Sequence, residues 1–167
     1  GEALQQSGRL SVVVLDKTGT ITEGRPRVTR LIPIAGTDEQ TLLQKAAALE
    51  IGSEHPLATS ILAAAREKGL EPAQVTDFRM HAGRGVSGRQ DGQFLLLGNA
   101  AFMGENDVDL SDLAEPAASL AARAETPVYL AVDHRVAGIL AIADPVKEDA
   151  GDAIGRMHAL GLRVVML

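Results

Sequence analysis

The sequence predicts an α/β fold in which a parallel-sheet domain is interrupted by an inserted α+β domain with an antiparallel sheet and flanking helices. Three observations carry that prediction. Near-continuous apolar runs stand at both ends, SVVVL at 11–15 and LRVVML at 162–167, as strands covered on both faces of a parallel sheet do. The second run follows an amphipathic stretch, VKEDAGDAIGRMHAL, and the pair reads as half of a βαβ unit. Between the ends, Asp91-Gly92 and Asp133-His134 are each flanked by apolar runs and mark two hairpins. The expected boundaries are 1–27 and 139–167 for the interrupted domain and 28–138 for the insert.

Each element has a local reason. Residues 11–15 read as a short, fully buried strand, whereas PRVTRLIPI at 26–34 alternates and suggests a half-exposed one. Thr37 with Gln40 makes a capping-box pattern that opens a helix through about Glu50, with Leu42, Leu43, Ala46 and Ala47 on one face. Pro56 suits a first helical turn and Gly69 a C-cap, with Leu57, Ile61, Leu62 and Ala65 at helical spacing between them. VSGRQ and QFLLLG flank the first hairpin turn, and a helix is expected over roughly 111–125, with Pro116 tolerable at an early position. TPVYLAV and RVAGILAIA flank the second turn, and a helix over 146–160 leads to the last strand.

Composition narrows the function. The 167 residues are 46% hydrophobic but 2% aromatic, so Leu, Val, Ile and Ala must fill the core. Sixteen basic against 22 acidic residues give a net charge of −6, which argues against a nucleic-acid groove. The absence of cysteine removes both a disulfide framework and a thiolate metal site. No apolar run reaches the roughly 18–20 residues that cross a bilayer, and GEALQQSGRL lacks a signal-peptide core. These features read as a soluble, cytosol-like polypeptide, and a final strand with nothing after it is expected of a fragment.

The chemistry concentrates in DKTGT at 16–20, at the C-terminal end of the first strand, where open α/β sheets place their ligands. Gly19 permits a sharp turn whose N–H groups can cradle phosphate oxygens. Asp16 can act as a nucleophile toward a phosphoryl group, with Lys17 and a Mg²⁺ ion offsetting the charge on its oxygens. The bland reading, a strand-end Asp turn, suits a bare Asp-Lys but not the full string DKTGTITEG.

That string resembles the phosphorylation motif of P-type cation-transporting ATPases, within the haloacid-dehalogenase-like superfamily. Soluble phosphatases of the superfamily usually carry a second aspartate two positions after the nucleophile, as the acid and base that hydrolyses the phosphoenzyme. Here that position is Thr18, which implies an intermediate that persists. The resemblance makes Asp16, Lys17 and Thr18 the catalytic group, with Asp16 and Thr18 also toward Mg²⁺.

SEHPLA at 53–58 reads either as a helix start with a solvated His55 or, beside DKTGT, as the His-Pro signature of the heavy-metal subgroup. The resemblance then implies that His55 positions ATP and that Glu50, five residues earlier, contacts its adenine. Glu54 is closer to the copper(I) branch than to the zinc and cadmium branch. GRGVSG at 83–88 has the spelling GxGxxG, but a strand and a hairpin follow it, so the dinucleotide-binding reading fails. It reads instead as a glycine loop where missing side chains let a nucleotide approach, and the family's GxG matches Gly83 and Gly85; the glycine often found two residues later is Ser87. Asn99, after FLLLG, is either a strand-ending turn or a nucleotide-side asparagine. Asp144, in DPVK, is either an N-cap with Pro at N1 or the family's return to the phosphorylation domain near the active site. His81, His134 and His158 match no ligand spacing and read as surface or loop residues. The methionines, Met80, Met103, Met157 and Met166, read as packing residues.

The resemblance implies the cytoplasmic ATP-binding region of an integral membrane pump, with ATP and Mg²⁺ as cofactors and a heavy-metal ion, copper(I) first, as cargo. Its membrane and actuator domains lie outside this sequence, as do the family's TGD loop, distal lysine and GDGxND segment. This chain alone is therefore expected to bind ATP weakly and to phosphorylate Asp16 poorly. A zinc or cadmium pump, a soluble phosphatase of the same superfamily and a non-catalytic nucleotide-binding module are the competing readings.

Overall fold

The computed structural model describes residues 11–166. The chain divides into two compact units, one of residues 1–25 with 144–167 and one of Pro26–Ala143.

In the first unit, β1 (Val12–Leu15) and β8 (Arg163–Met166) pair in parallel, Val12 opposite Arg163 and Leu15 opposite Met166. The parallel pairing follows the sequence, but full burial does not: Val14 is 54% exposed and Met166 57%. A two-stranded sheet with one short helix against it cannot cover both pleat faces. Helix α5 (Ala150–Ala159) starts four residues later than the expected 146. Val146 is held in an antiparallel bridge with Thr22, and the Lys147 N–H donates to the Ile21 carbonyl at 2.9 Å, so this segment is committed to extended pairing.

The second unit is a six-stranded antiparallel sheet in the order β2-β7-β6-β5-β4-β3. Its strands are β2 (Arg27–Pro33), β3 (Thr76–His81), β4 (Gly85–Gln90), β5 (Gln93–Gly98), β6 (Thr126–Val132) and β7 (Arg135–Ala143). Helices α1 (Glu39–Glu50) and α2 (Pro56–Glu67) supply Leu42, Leu43, Leu49 and Ile61 to one core, which also contains Leu95, Leu97, Leu130 and Leu140. Helix α3 (Ala100–Glu105), a 3₁₀ turn (Ser111–Leu113) and α4 (Ala114–Ala121) accompany the other core, with Leu96, Phe102, Met103, Leu120 and Tyr129. Because side chains alternate along a strand, the continuous run Leu95–Leu96–Leu97 serves both cores. Each such leucine contributes about 2 kcal/mol on burial.

Both hairpins form as expected. Gln90 pairs with Gln93 across Asp91 (φ +51°) and Gly92 (φ +81°), and Val132 with Arg135 across Asp133 (φ +47°) and His134 (φ +61°). Two successive left-handed residues match the strand twist, which Asp-Gly tolerates well. Other expectations shift. The cap of α1 is Asp38, whose carboxylate accepts from the Thr41 N–H at 2.7 Å, and not Thr37. The helix expected over 111–125 is the 3₁₀ turn followed by α4, ending at Ala121. Strand β3 and helix α3 are additions that the sequence pattern did not disclose, β3 because its exposed edge carries little apolar alternation.

Candidate functional site

In the second unit a cavity of about 300 Å³ opens where α1 ends, α2 begins and the β3–β4 turn meets the end of β5. Glu50, His55, Gly83, Gly85 and Asn99, widely separated in sequence, all line it, over a floor that includes Leu57, Val86, Leu97 and Val128. Its size suits a small ligand with an apolar body and a few polar attachments.

Glu50 is the buried charge of this cavity, 6% exposed, and its Oε2 has no hydrogen-bond partner. Burial pushes its carboxyl above the ordinary glutamate range; a hydrogen bond from the Ser53 side chain and the nearby His55 oppose this to a smaller degree. His55 caps α2, its Nδ1 accepting from the Leu57 N–H at 3.2 Å with Pro56 in the first turn. An Nδ1 that accepts places the proton on Nε2, so the imidazole offers a donor away from the helix. Helix cap and ligand donor are thus two ends of one ring.

The glycine loop has two separate explanations. Gly83 sits at φ +68° in the turn, and a Cβ there would meet nothing within 4 Å. Gly85 differs: a Cβ there would collide with the Leu97 carbonyl oxygen and the Gly98 Cα of the neighbouring strand. Its missing side chain is required by strand β5, a second reason for glycine at a position that also lines the cavity. Asn99 accepts from the Phe102 N–H at 2.9 Å as the cap of α3, and its Nδ2 donates to the Gly83 carbonyl at 2.9 Å. It therefore braces the turn that Gly83 makes.

His81 is not a loop residue. It ends β3, its Nε2 lies 2.9 Å from the buried Ser87 Oγ, and its ring lies tilted by 41° against Phe102 with centroids 4.7 Å apart. Met103 is fully buried, as a packing methionine should be, but Met80 is 58% exposed at the cavity rim.

In the first unit Asp16 stands exposed just past the tip of β1, without a cap bond to the following turn. The chain after it leaves helical geometry at Thr18 (ψ 123°) and Gly19 (φ +77°), and closes through the Thr22 N–H to the Lys17 carbonyl at 3.1 Å. Thr22, 2% exposed, accepts from the Gly19 N–H at 3.1 Å and donates to Asp144 Oδ2 at 2.5 Å. Asp144 also accepts from the N–H groups of Gly24 (3.2 Å) and Arg25 (3.0 Å), and Lys147 Nζ donates to the Gly19 carbonyl at 2.8 Å. The hydrogen bond from Thr22, ahead of those from Arg25 and Gly24, holds the Asp144 carboxyl below its usual range. Asp144 thus caps no helix, since the N-cap of α5 is Asp149, five residues later; Asp144 ties down the loop that follows Asp16. Thr22 and Lys147 escaped the sequence reading, although both lie inside the strings DKTGTITEG and DPVK that it singled out.

A family model described as haloacid dehalogenase-like hydrolase matches residues 10–167, which takes in the loop after β1 and both units. The chain belongs to the haloacid dehalogenase-like hydrolase family. It is 42% identical to "Copper-transporting ATPase 2" of Rhizobium meliloti (strain 1021) over all of its own length and 20% of that protein's. The chain therefore spans about a fifth of the curated relatives it matches. Among solved structures, a zinc-transporting PIB-type ATPase in its E2.Pi state matches with a TM-score of 0.87 and 35% identity, over 98% of this chain and 26% of the other. The N-domain of a copper-transporting P-type ATPase matches with a TM-score of 0.58 and 27% identity, over 70% of this chain and 98% of that domain. This haloacid dehalogenase-like chain thus shares its fold with part of a zinc-transporting PIB-type ATPase and, over 70% of its length, with the N-domain of a copper-transporting P-type ATPase.

Proposed function

We propose that the chain is the ATP-binding and aspartyl-phosphorylation region of a heavy-metal-exporting P-type ATPase, with copper(I) as the exported ion. The observation that carries this is the pairing, within one chain, of a nucleophile loop lacking a second carboxylate at Thr18 with a cavity lined by Glu50 and His55. The 42% identity to a copper-transporting relative supports the metal assignment.

In this reading the unit of Pro26–Ala143 binds ATP. The unpartnered Glu50 Oε2 accepts from an exocyclic amine of adenine, His55 donates from Nε2, and Asn99 holds the Gly83 turn open. Gly85 contributes by letting β4 and β5 approach beside the cavity.

The unit with Asp16 accepts the phosphoryl group. A carboxylate oxygen of Asp16 bonds to the γ-phosphorus as the bond to the bridging oxygen breaks, and ADP departs with that electron pair. Lys17 places positive charge beside the reacting group. Thr18 offers no carboxylate to activate water, so the acyl phosphate is spared from rapid hydrolysis. Among the described residues no three acidic or histidine side chains cluster. Mg²⁺ usually takes one or two carboxylates with water and phosphate oxygens, and Asp16, exposed and without a cap bond, would hold it with Thr18. When bound, Mg²⁺ neutralises charge on the phosphoryl oxygens. Asp144, Thr22 and Lys147 keep the loop shaped for this chemistry. The whole pump, with membrane and actuator domains, would place this chain on the cytoplasmic face.

The test is γ-labelled ATP supplied to the membrane-embedded pump. Acid-stable, hydroxylamine-labile label that requires Mg²⁺, increases with Cu⁺ and vanishes in Asp16→Asn is expected. Stimulation by Zn²⁺ instead would reassign the metal. Rapid hydrolysis of simple phosphate esters without a trapped intermediate would reassign the chain as a phosphatase.

A further inference from the structure

We propose that Met80 is an additional nucleotide-contacting residue, whose thioether covers the purine and selects purine over pyrimidine nucleotides. The inference rests on the reading of the cavity as a nucleotide site. Within Pro26–Ala143 two large apolar side chains are exposed, Ile51 at 54% and Met80 at 58%. Ile51 follows Glu50 in the chain, and Met80 lines the cavity itself. A singly exposed apolar side chain is ordinary, but one at the rim of a cavity is placed to pack against what the cavity holds.

The register explains where Met80 stands. It pairs with Val86, which is 4% exposed and also lines the cavity, so the two share one sheet face. Phe78, two residues earlier on the same face, packs into the core beneath α1 and α2. His81, the next residue, faces the opposite core through Phe102. β3 is the edge of the sheet, so no further strand of this unit lies beyond Met80. A flat ligand seated over Val86 would be covered on its outer side by the methionine. Sulfur favours the edge and face of aromatic rings, and an unbranched side chain adapts to them at little strain. The rim carries one Lys or Arg side chain that could compete for a base, Arg84, and it is held by Glu105 at 3.0 Å. A bicyclic purine reaches farther across this floor than a single pyrimidine ring, which makes the contact selective.

The test uses the whole chain labelled at its methionine methyl groups. There are four, and the buried Met103, with Met157 and Met166 in the other unit, serve as internal controls. On addition of millimolar ATP the Met80 methyl signal should shift upfield by ring current, together with the Gly83 amide and the His55 ring. CTP should move it less, and inorganic tripolyphosphate not at all. If Gly83 and His55 respond while Met80 does not, the Met80 assignment fails and the nucleotide site stands. If none of them responds, both fail. Met80→Ala, which removes an exposed side chain and leaves the core intact, should weaken ATP binding about three- to tenfold. An equal loss for ATP and CTP would overturn the purine selectivity.

Discussion

Thr22 donates its hydroxyl hydrogen bond to Asp144 at 2.5 Å across 122 positions of sequence. The bond joins the loop after the first strand to the segment where the chain re-enters the same unit. Thr22 is thereby a hub: it accepts from Gly19, donates to Asp144 and, through the Val146 bridge, fixes the spacing of the two segments. Asp16 itself is exposed. Its position is set by this network behind it and by the strand before it.

Thr22→Val keeps the shape and removes the hydroxyl, leaving the Gly19 N–H and Asp144 short of a partner. A loss of about 1–3 kcal/mol is expected, localised to this unit. Amide hydrogen exchange should accelerate at Gly19, Gly24 and Arg25 while the amides of the six-stranded sheet keep their protection. Uniform acceleration through both units would contradict a local role.

The same network sets a pH dependence. Asp144 has its carboxyl lowered in the fold, so the unfolded chain binds its proton more readily than the native one. The stabilisation is present above the ordinary aspartate range and is lost as pH falls through the lowered native value. Thr22→Val removes the largest cause of that lowering, and the Asp144 carboxyl followed by NMR should then titrate at higher pH. An unchanged titration would show that the Gly24 and Arg25 amides alone hold it.

Much of this was legible in the sequence because it is local. The Asp-Gly turn, the Pro56 helix start and the apolar ends each follow from residues within a few positions of one another. The missed features depend on partners far away. Asp144 read either as a helix cap or as a residue near the active site, and only the fold shows that three donors from 22–25 hold its carboxylate. Gly85 read as a ligand-approach glycine, and only the β4–β5 register adds that Leu97 and Gly98 stand where a Cβ would go. His81 gave no signal at all, since its partners Ser87 and Phe102 become neighbours only when β3, β4 and α3 assemble.

Gly83→Ala and Gly85→Ala should therefore part company. At Gly83 the methyl enters open space, and the cost is the left-handed backbone, about 1 kcal/mol. At Gly85 it collides with backbone that cannot rotate away, and about 1–3 kcal/mol or more is expected, with β4–β5 protection lost. Thermal unfolding of both variants checks the order. Gly85→Ala as stable as Gly83→Ala would refute the strand-approach explanation.

Glu50 carries a linkage of the opposite sign to Asp144. Burial raises its carboxyl in the fold, so the native state holds the proton more tightly than the unfolded chain. Its ionisation costs stability as pH rises from the ordinary glutamate range through the raised native value. Glu50→Gln should raise the melting temperature at neutral pH, and the gain should shrink as pH is lowered. The same variant should weaken ATP binding, because the unpartnered oxygen that accepts is gone or reversed into a donor. Greater stability with weaker binding is the signature of a residue kept buried for its ligand; a stability loss at neutral pH would indicate a structural carboxylate.

His55 needs two substitutions to separate its two roles. His55→Ala removes both the cap on the Leu57 N–H and the Nε2 donor, so it should lower stability by about 1 kcal/mol and weaken ATP binding. His55→Asn restores a good cap, because an Asn side-chain oxygen accepts from the same turn, while the imidazole is still missing. Its stability should return close to that of the parent chain, and its nucleotide affinity should not. Calorimetric titration with ATP beside thermal unfolding reads both quantities on each variant. If affinity recovers with the cap, the contribution of His55 is to shape the start of α2 and the cavity wall beside Leu57. If affinity stays low while stability recovers, the ring itself meets the nucleotide.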